Sequence, residues 1–72
     1  MSAMITIERT LAREIVERIR AEYREMPGLS LTKQQMRRLW ALDASLCDAT
    51  VDELLASGFL RRRSDSSFVR AA

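Results

Sequence analysis

An apolar residue recurs at every fourth position from Ile7 through Leu11, Ile15 and Ile19 to Tyr23, and the pattern then stops at Pro27-Gly28. A four-residue spacing lines these side chains along one face of a helix, and the Pro-Gly pair ends it. The spacing therefore predicts a long amphipathic first helix over about 7–26, capped at Thr6 or an earlier residue, with Ile5 as an upstream extension of the stripe. Glu14 with Arg18, Arg18 with Glu22, and Glu17 with Arg20 are spaced to pair on its outer faces, each contributing about 0.2–0.5 kcal/mol. From Ile5 or Ile7 to Met26 the stripe spans up to about 30 Å, more than two further short helices can cover.

The rest of the chain divides at one more break, Gly58. Leu29-Ser30-Leu31 alternates apolar and polar over too few residues for a helix and reads as one short strand. Thr32 then opens a second helix, with Gln35 three residues on completing a capping box. Its inward side is expected to be Met36 and Leu39 with Leu31 and Trp40, and its outward side Lys33, Gln34, Arg37 and Arg38. Ala41-Leu42 makes a tight turn. Asp43 is a suitable N-cap for a third helix over 44–57, with Cys47, Thr50, Val51, Leu54 and Leu55 turned inward and Gly58 as its C′ stop. Phe59–Arg63 and Phe68–Arg70 flank the polar stretch 64–67, which is a hairpin signal.

Composition narrows the function classes. At 72 residues, a chain hides only about 60% of its unfolded surface, which leaves one modest core, a single domain over 1–72, and little room for a deep catalytic cleft. No apolar run approaches the roughly 20 residues needed to span a bilayer, and the start does not resemble a signal peptide. A cytoplasmic location without membrane contact is the expectation. With one cysteine, Cys47, and no histidine, internal disulfides, the usual zinc sites and His-based acid–base catalysis lack their residues. No nucleotide loop exists, and Glu14, Glu17 and Glu22 do not converge on an apolar pocket. The reading is a non-enzyme with no metal and no cofactor, with Cys47 a buried, inert thiol.

Charge is unevenly placed. Residues 1–28 are neutral, 29–57 carry a net −1, and 58–72 carry +3 through Arg61, Arg62, Arg63 and Arg70 against Asp65. Eleven of the twelve basic residues are arginine, the residue suited to planar, bidentate contact with phosphate or carboxylate.

Helix, short strand, helix, tight turn, helix and hairpin is the order of a winged helix. Leu31-Thr32, Leu39, Leu42-Asp43, Cys47, Val51, Leu54, Gly58-Phe59-Leu60, Arg61 and Arg62 together resemble the pattern of bacterial winged helix-turn-helix proteins, over about residues 29–70. The resemblance implies a mainly α fold with a small β-hairpin and a DNA-binding, transcription-regulating role. It further implies a third helix in the major groove and a wing along the backbone. Carried over position by position, the groove-facing candidates are Ala44, Ser45, Asp48, Ala49 and Asp52. That helix has no Arg, Lys, Asn or Gln, the usual base-reading residues, and its acids repel phosphate. Lys33, Arg37 and Arg38 on the second helix and Arg61, Arg62, Arg63 and Arg70 on the wing are the phosphate-contacting candidates. Six such contacts imply a fall in affinity of about a thousandfold or more between low and moderate salt.

Two partner expectations complete the reading. The surplus stripe on the first helix, at Ile7, Leu11 and Ile15, suits a homodimer seam, which in a winged helix also sets half-site spacing. The alternative to DNA is a protein partner, met by the acidic third helix and by Trp40, because aromatic residues dominate interface hot spots.

Overall fold

A computed structural model describes residues 2–71, with side chains described from Leu11 onward. The order is α1 (Ser2–Glu25), β1 (Leu31–Thr32), α2 (Lys33–Leu39), α3 (Ala44–Ala56), β2 (Leu60–Arg62) and β3 (Ser67–Arg70). The fold is mainly helical, with three helices and a small antiparallel sheet that includes the expected hairpin. Among the described residues, no helix is long and apolar enough to cross a membrane.

Local chemistry accounts for most element ends. Thr32 Oγ1 accepts from the Gln35 amide at 3.2 Å while Gln35 Oε1 accepts from the Thr32 amide at 2.9 Å, so both halves of the capping box are closed. Asp43 Oδ1 accepts from the Leu46 amide at 2.7 Å and starts α3. Gly58 follows the C-cap Ser57 at φ +76°, a left-handed conformation open to glycine without the steric cost of a Cβ. Between α2 and α3 the same conformation falls on Ala41, at φ 53°. The strain there is held by the Leu42 amide bonded to Arg37 O at 2.9 Å and by the buried Leu42 side chain.

β1 corrects one expectation. The alternation in the sequence puts the strand on Leu29-Ser30-Leu31, yet the Leu29 amide donates to Met26 O at 2.9 Å in the turn after α1, and pairing begins only at Leu31. Thr32 therefore serves both as the last strand residue and as the cap of α2. The sheet order is β1-β3-β2, with Leu31 opposite Phe68, Thr32 opposite Ser67, and Leu60, Arg61 and Arg62 opposite Arg70, Val69 and Phe68.

The core joins all three helices to the sheet: Val16, Ile19 and Tyr23 from α1, Met36 from α2, Leu42 from the turn, Cys47, Val51 and Leu54 from α3, and Leu60 and Phe68 from the hairpin. Tyr23 is wholly enclosed, and its hydroxyl donates to Phe68 O at 2.7 Å, tying α1 to the central strand. Thr50 is equally buried and donates to Leu46 O at 2.7 Å, so its hydroxyl is satisfied within its own helix. Leu39, expected to face inward, is instead 59% exposed. α2 is only seven residues long and is rolled onto its i, i+4 row, with Met36 enclosed and Trp40 packed against the core. The i+3 position, Leu39, is left on the far side.

On α1, burial follows the predicted stripe through Tyr23, Ile19 and partly Ile15, with Val16 also enclosed, and fades at Leu11, which is 46% exposed. At 24 residues against 13 for α3, and about 1.5 Å per residue, α1 outruns its neighbour. The Ile7 side chain, assigned above to a dimer seam, lies outside the described side chains, as does the proposed cap at Thr6. Arg20 and Glu17 close their expected pair at 2.7 Å.

Candidate nucleic-acid interface

The sheet register sorts the hairpin arginines into different places. Successive residues of a strand point to opposite faces, and Leu60 and Phe68 are buried. Arg62, opposite Phe68, is thus on the core side of the sheet, where its guanidinium reaches out over the Phe68 ring at 5.5 Å from the centroid. Arg61, opposite Val69, is on the outer face and exposed. The Arg63 amide donates to Ser67 O at 2.8 Å, extending the ladder by one residue, and its side chain is also exposed.

The turn of the hairpin is closed by the Ser66 amide on Arg63 O at 3.0 Å and by Asp65, whose Oδ1 accepts from both the Ser67 hydroxyl (2.6 Å) and the Ser67 amide (3.0 Å). The hydroxyl first, and the amide after it, hold the Asp65 carboxyl below the ordinary range. The one acid of the hairpin is thereby tied into the turn between its strands.

Thr32 lies opposite Ser67, and Ser67 lies beside Arg63. The start of α2 and the turn end of the hairpin therefore belong to one row across the sheet, about 10 Å wide at two strand spacings. Arg37 and Arg38 lie on the exposed side of α2, flanking with Gln34 a shallow depression of about 290 Å³ over Leu42. Arg37 also donates through Nε to Leu42 O at 3.3 Å, which steadies its side chain.

Two of the assigned residues neutralise each other. Lys33 Nζ lies 2.9 Å from Asp48 Oδ1, joining α2 to α3 across the tight turn. This removes one cation from the phosphate-contacting set and one acid from the face of α3. Ala49 is turned toward α1, where with Val16, Glu17 and Glu53 it borders a groove of about 390 Å³. Ser45 and Asp52 remain exposed on α3, as does Ala44 at its first turn.

Arg70 departs most from its assignment. It lies at the opposite end of β3 from the turn, beside Phe59 and away from Arg61, Arg62 and Arg63. Arg20, which the sequence pairs with Glu17 on the outside of α1, and Arg24, which no sequence pattern singles out, join it there. The sole hint of this grouping in the sequence is their i, i+4 spacing.

Cys47 is buried, with its Sγ 3.6 Å from Lys33 O, and burial followed by the Asp48 charge pushes its thiol up, against smaller opposing effects of Lys33 and Arg37. A buried thiol with a raised pKa is a poor nucleophile. Among the described residues no three His, Cys, Asp or Glu side chains gather as a metal site. Comparison of the chain with protein-family models, with curated proteins and with solved structures finds no match.

Proposed function

We propose that this chain is a winged helix protein that binds duplex DNA by anchoring on its phosphates, and that it serves as a transcription regulator. The observation that carries the reading is the common row formed by the turn end of the hairpin and the start of α2, with exposed Arg61 and Arg63 at one side and exposed Arg37 and Arg38 beyond the other. Phosphates along a duplex backbone suit such a spread of guanidinium groups. α3 approaches the duplex with Ser45 and Asp52, so its contribution to base reading is slight. A homodimer through the exposed part of the α1 stripe at Leu11 supplies a second half-site contact.

Lys33 is paired, Arg62 is stacked and Arg70 lies at the far end of β3, which leaves Arg37, Arg38, Arg61 and Arg63 and a salt dependence that weakens binding roughly 100-fold between about 50 and 200 mM salt. Fluorescence anisotropy with a mixed-sequence duplex at those two concentrations tests it. Absence of binding at the lower salt overturns the proposal.

A second reading is favoured by one observation, the exposure of Leu39 beside the half-buried Trp40. Together with Asp52 on α3, these side chains fit a protein-interaction module that leaves DNA alone. Loss of partner binding in a Leu39→Ser variant, with duplex binding absent throughout, is its signature.

A further inference from the structure

Phe59 gathers three guanidinium groups from two distant parts of the chain. The Cζ atoms of Arg70, Arg20 and Arg24 lie 5.4, 5.7 and 5.8 Å from the centre of its ring, while Tyr23 meets the same ring edge-on at 6.4 Å. All three guanidiniums lie within 5.8 Å of one ring centre, a radius shorter than the screening length of physiological salt, about 8 Å. Attraction to an aromatic face contributes only about 0.5–1 kcal/mol at an exposed site, and it does not cancel the repulsion among three like charges.

The carboxylates nearby compensate one of the three. Arg20 is paired with Glu17 at 2.7 Å and steadied by the Ser57 hydroxyl at 3.4 Å. Among the described residues, neither Arg24 nor Arg70 has a carboxylate within ion-pair distance. Among the described residues, the cluster thus holds two positive charges without a carboxylate beside a third that is paired with Glu17, on a base tied to the sheet by the Tyr23–Phe68 hydrogen bond. A phosphate monoester carries about −1.5 to −2 charge at neutral pH and three acceptor oxygens, and guanidinium forks bind such oxygens in pairs. A carboxylate leaves one of the two charges unanswered.

We propose that Arg20, Arg24 and Arg70, assembled around Phe59, bind a dianionic phosphate group of a small ligand. The site is separate from the proposed duplex-contacting face: Arg70 is at the far end of β3 from the hairpin turn, about 10 Å along the strand, and Ser57 caps the end of α3 opposite to Ser45. The proposal stands whether or not the chain binds DNA.

The test is titration of the intact, isotope-labelled protein with inorganic phosphate, pyrophosphate and dimethyl phosphate at constant ionic strength, following the arginine Nε–H resonances by NMR. Phosphate and pyrophosphate are expected to shift Arg20, Arg24 and Arg70 together, with saturation at a single dissociation constant, while Arg38 and Arg61 stay in place. Pyrophosphate alone doing so identifies a diphosphate-bearing ligand, still within the proposal. Arg24→Gln and Arg70→Gln are each expected to weaken this binding roughly tenfold, with unchanged amide spectra elsewhere showing the fold intact. Shifts that grow without saturating, or that affect Arg61 and Arg63 equally, overturn the proposal. Dimethyl phosphate binding as well as phosphate also overturns it, since a singly charged diester is the chemistry of a nucleic-acid backbone.

Discussion

Replacing Tyr23 with phenylalanine removes a single oxygen atom at the joint between α1 and the sheet. That oxygen is fully enclosed and donates at 2.7 Å to the carbonyl of Phe68 on the central strand. Losing a buried donor leaves its acceptor short of a partner, a cost of about 1–3 kcal/mol. In a domain of this size each kcal/mol moves the thermal midpoint by roughly 4–8 °C, so Tyr23→Phe is expected to melt about 4–24 °C below the parent. The same hydroxyl gives an independent check through its acidity. Burial raises the phenol from its ordinary 10.0 to about 12, with the Leu31 backbone pulling slightly the other way. The folded chain therefore holds this proton more tightly than the unfolded chain does. The associated stability is fully present below pH 10 and is lost as pH rises through about 12, a difference of about 3 kcal/mol for a two-unit shift. Tyr23 is the only tyrosine, so phenolate absorbance reports this one group. Urea melts followed by circular dichroism, at neutral pH and in steps above pH 10, supply the stability; the absorbance titration supplies the pKa. An unchanged melt in the Phe variant, or a phenol that ionises at its ordinary value while the fold persists, refutes the reasoning.

If the wing contacts phosphate, Arg61→Ser with Arg63→Ser is expected to reduce the salt slope of duplex binding by about 1.8, whereas Arg62→Ser, which loses its stacking on Phe68, leaves the slope nearly unchanged and lowers stability by under about 1 kcal/mol; anisotropy and melting curves separate the two. Asp48→Asn releases Lys33 from its 2.9 Å pair and is expected to strengthen nonspecific duplex binding and steepen the slope by about 0.9. Leu11→Glu, at a position already 46% exposed, is expected to keep the melting midpoint while converting a dimer to a monomer in sedimentation; a parent that is monomeric, or a variant that unfolds, argues against the seam. Gly58→Ala meets no atom within 4 Å but retains φ +76°, so denaturation should show the loss of roughly 1–2 kcal/mol expected for a left-handed alanine.

The parts of the fold most legible in the sequence are those governed by neighbours in the chain. Thr32 with Gln35, Asp43 with Leu46, and Gly58 each satisfy or release backbone groups within four residues, so the residue types alone locate the ends of α2 and α3. The helical stripe of α1 and the inward row of α3 are legible for the same reason, because a helix repeats its geometry every few residues. Leu39 shows the limit of that argument. Periodicity places it near Met36, but the roll of a seven-residue helix is chosen by what packs against it, and the packing took Met36 and Trp40 instead.

The candidate site was legible as an inventory of charges and much less as an arrangement. Arginine-rich composition and the net +3 of residues 58–72 can be counted in the chain, and the expectation of an anionic partner rests on them before any folding is considered. Pairing decided the rest. The opposition of Arg62 to Phe68 sent one hairpin arginine over an aromatic ring, the Lys33–Asp48 bridge cancelled a cation against an acid, and the meeting of α1 with the base of the hairpin drew Arg20 and Arg24 to Arg70. Local steric and hydrogen-bonding rules act over one turn of helix and are written residue by residue. Which charges become neighbours depends on contacts between segments far apart in the chain, and only the folded packing of helices on sheet creates those.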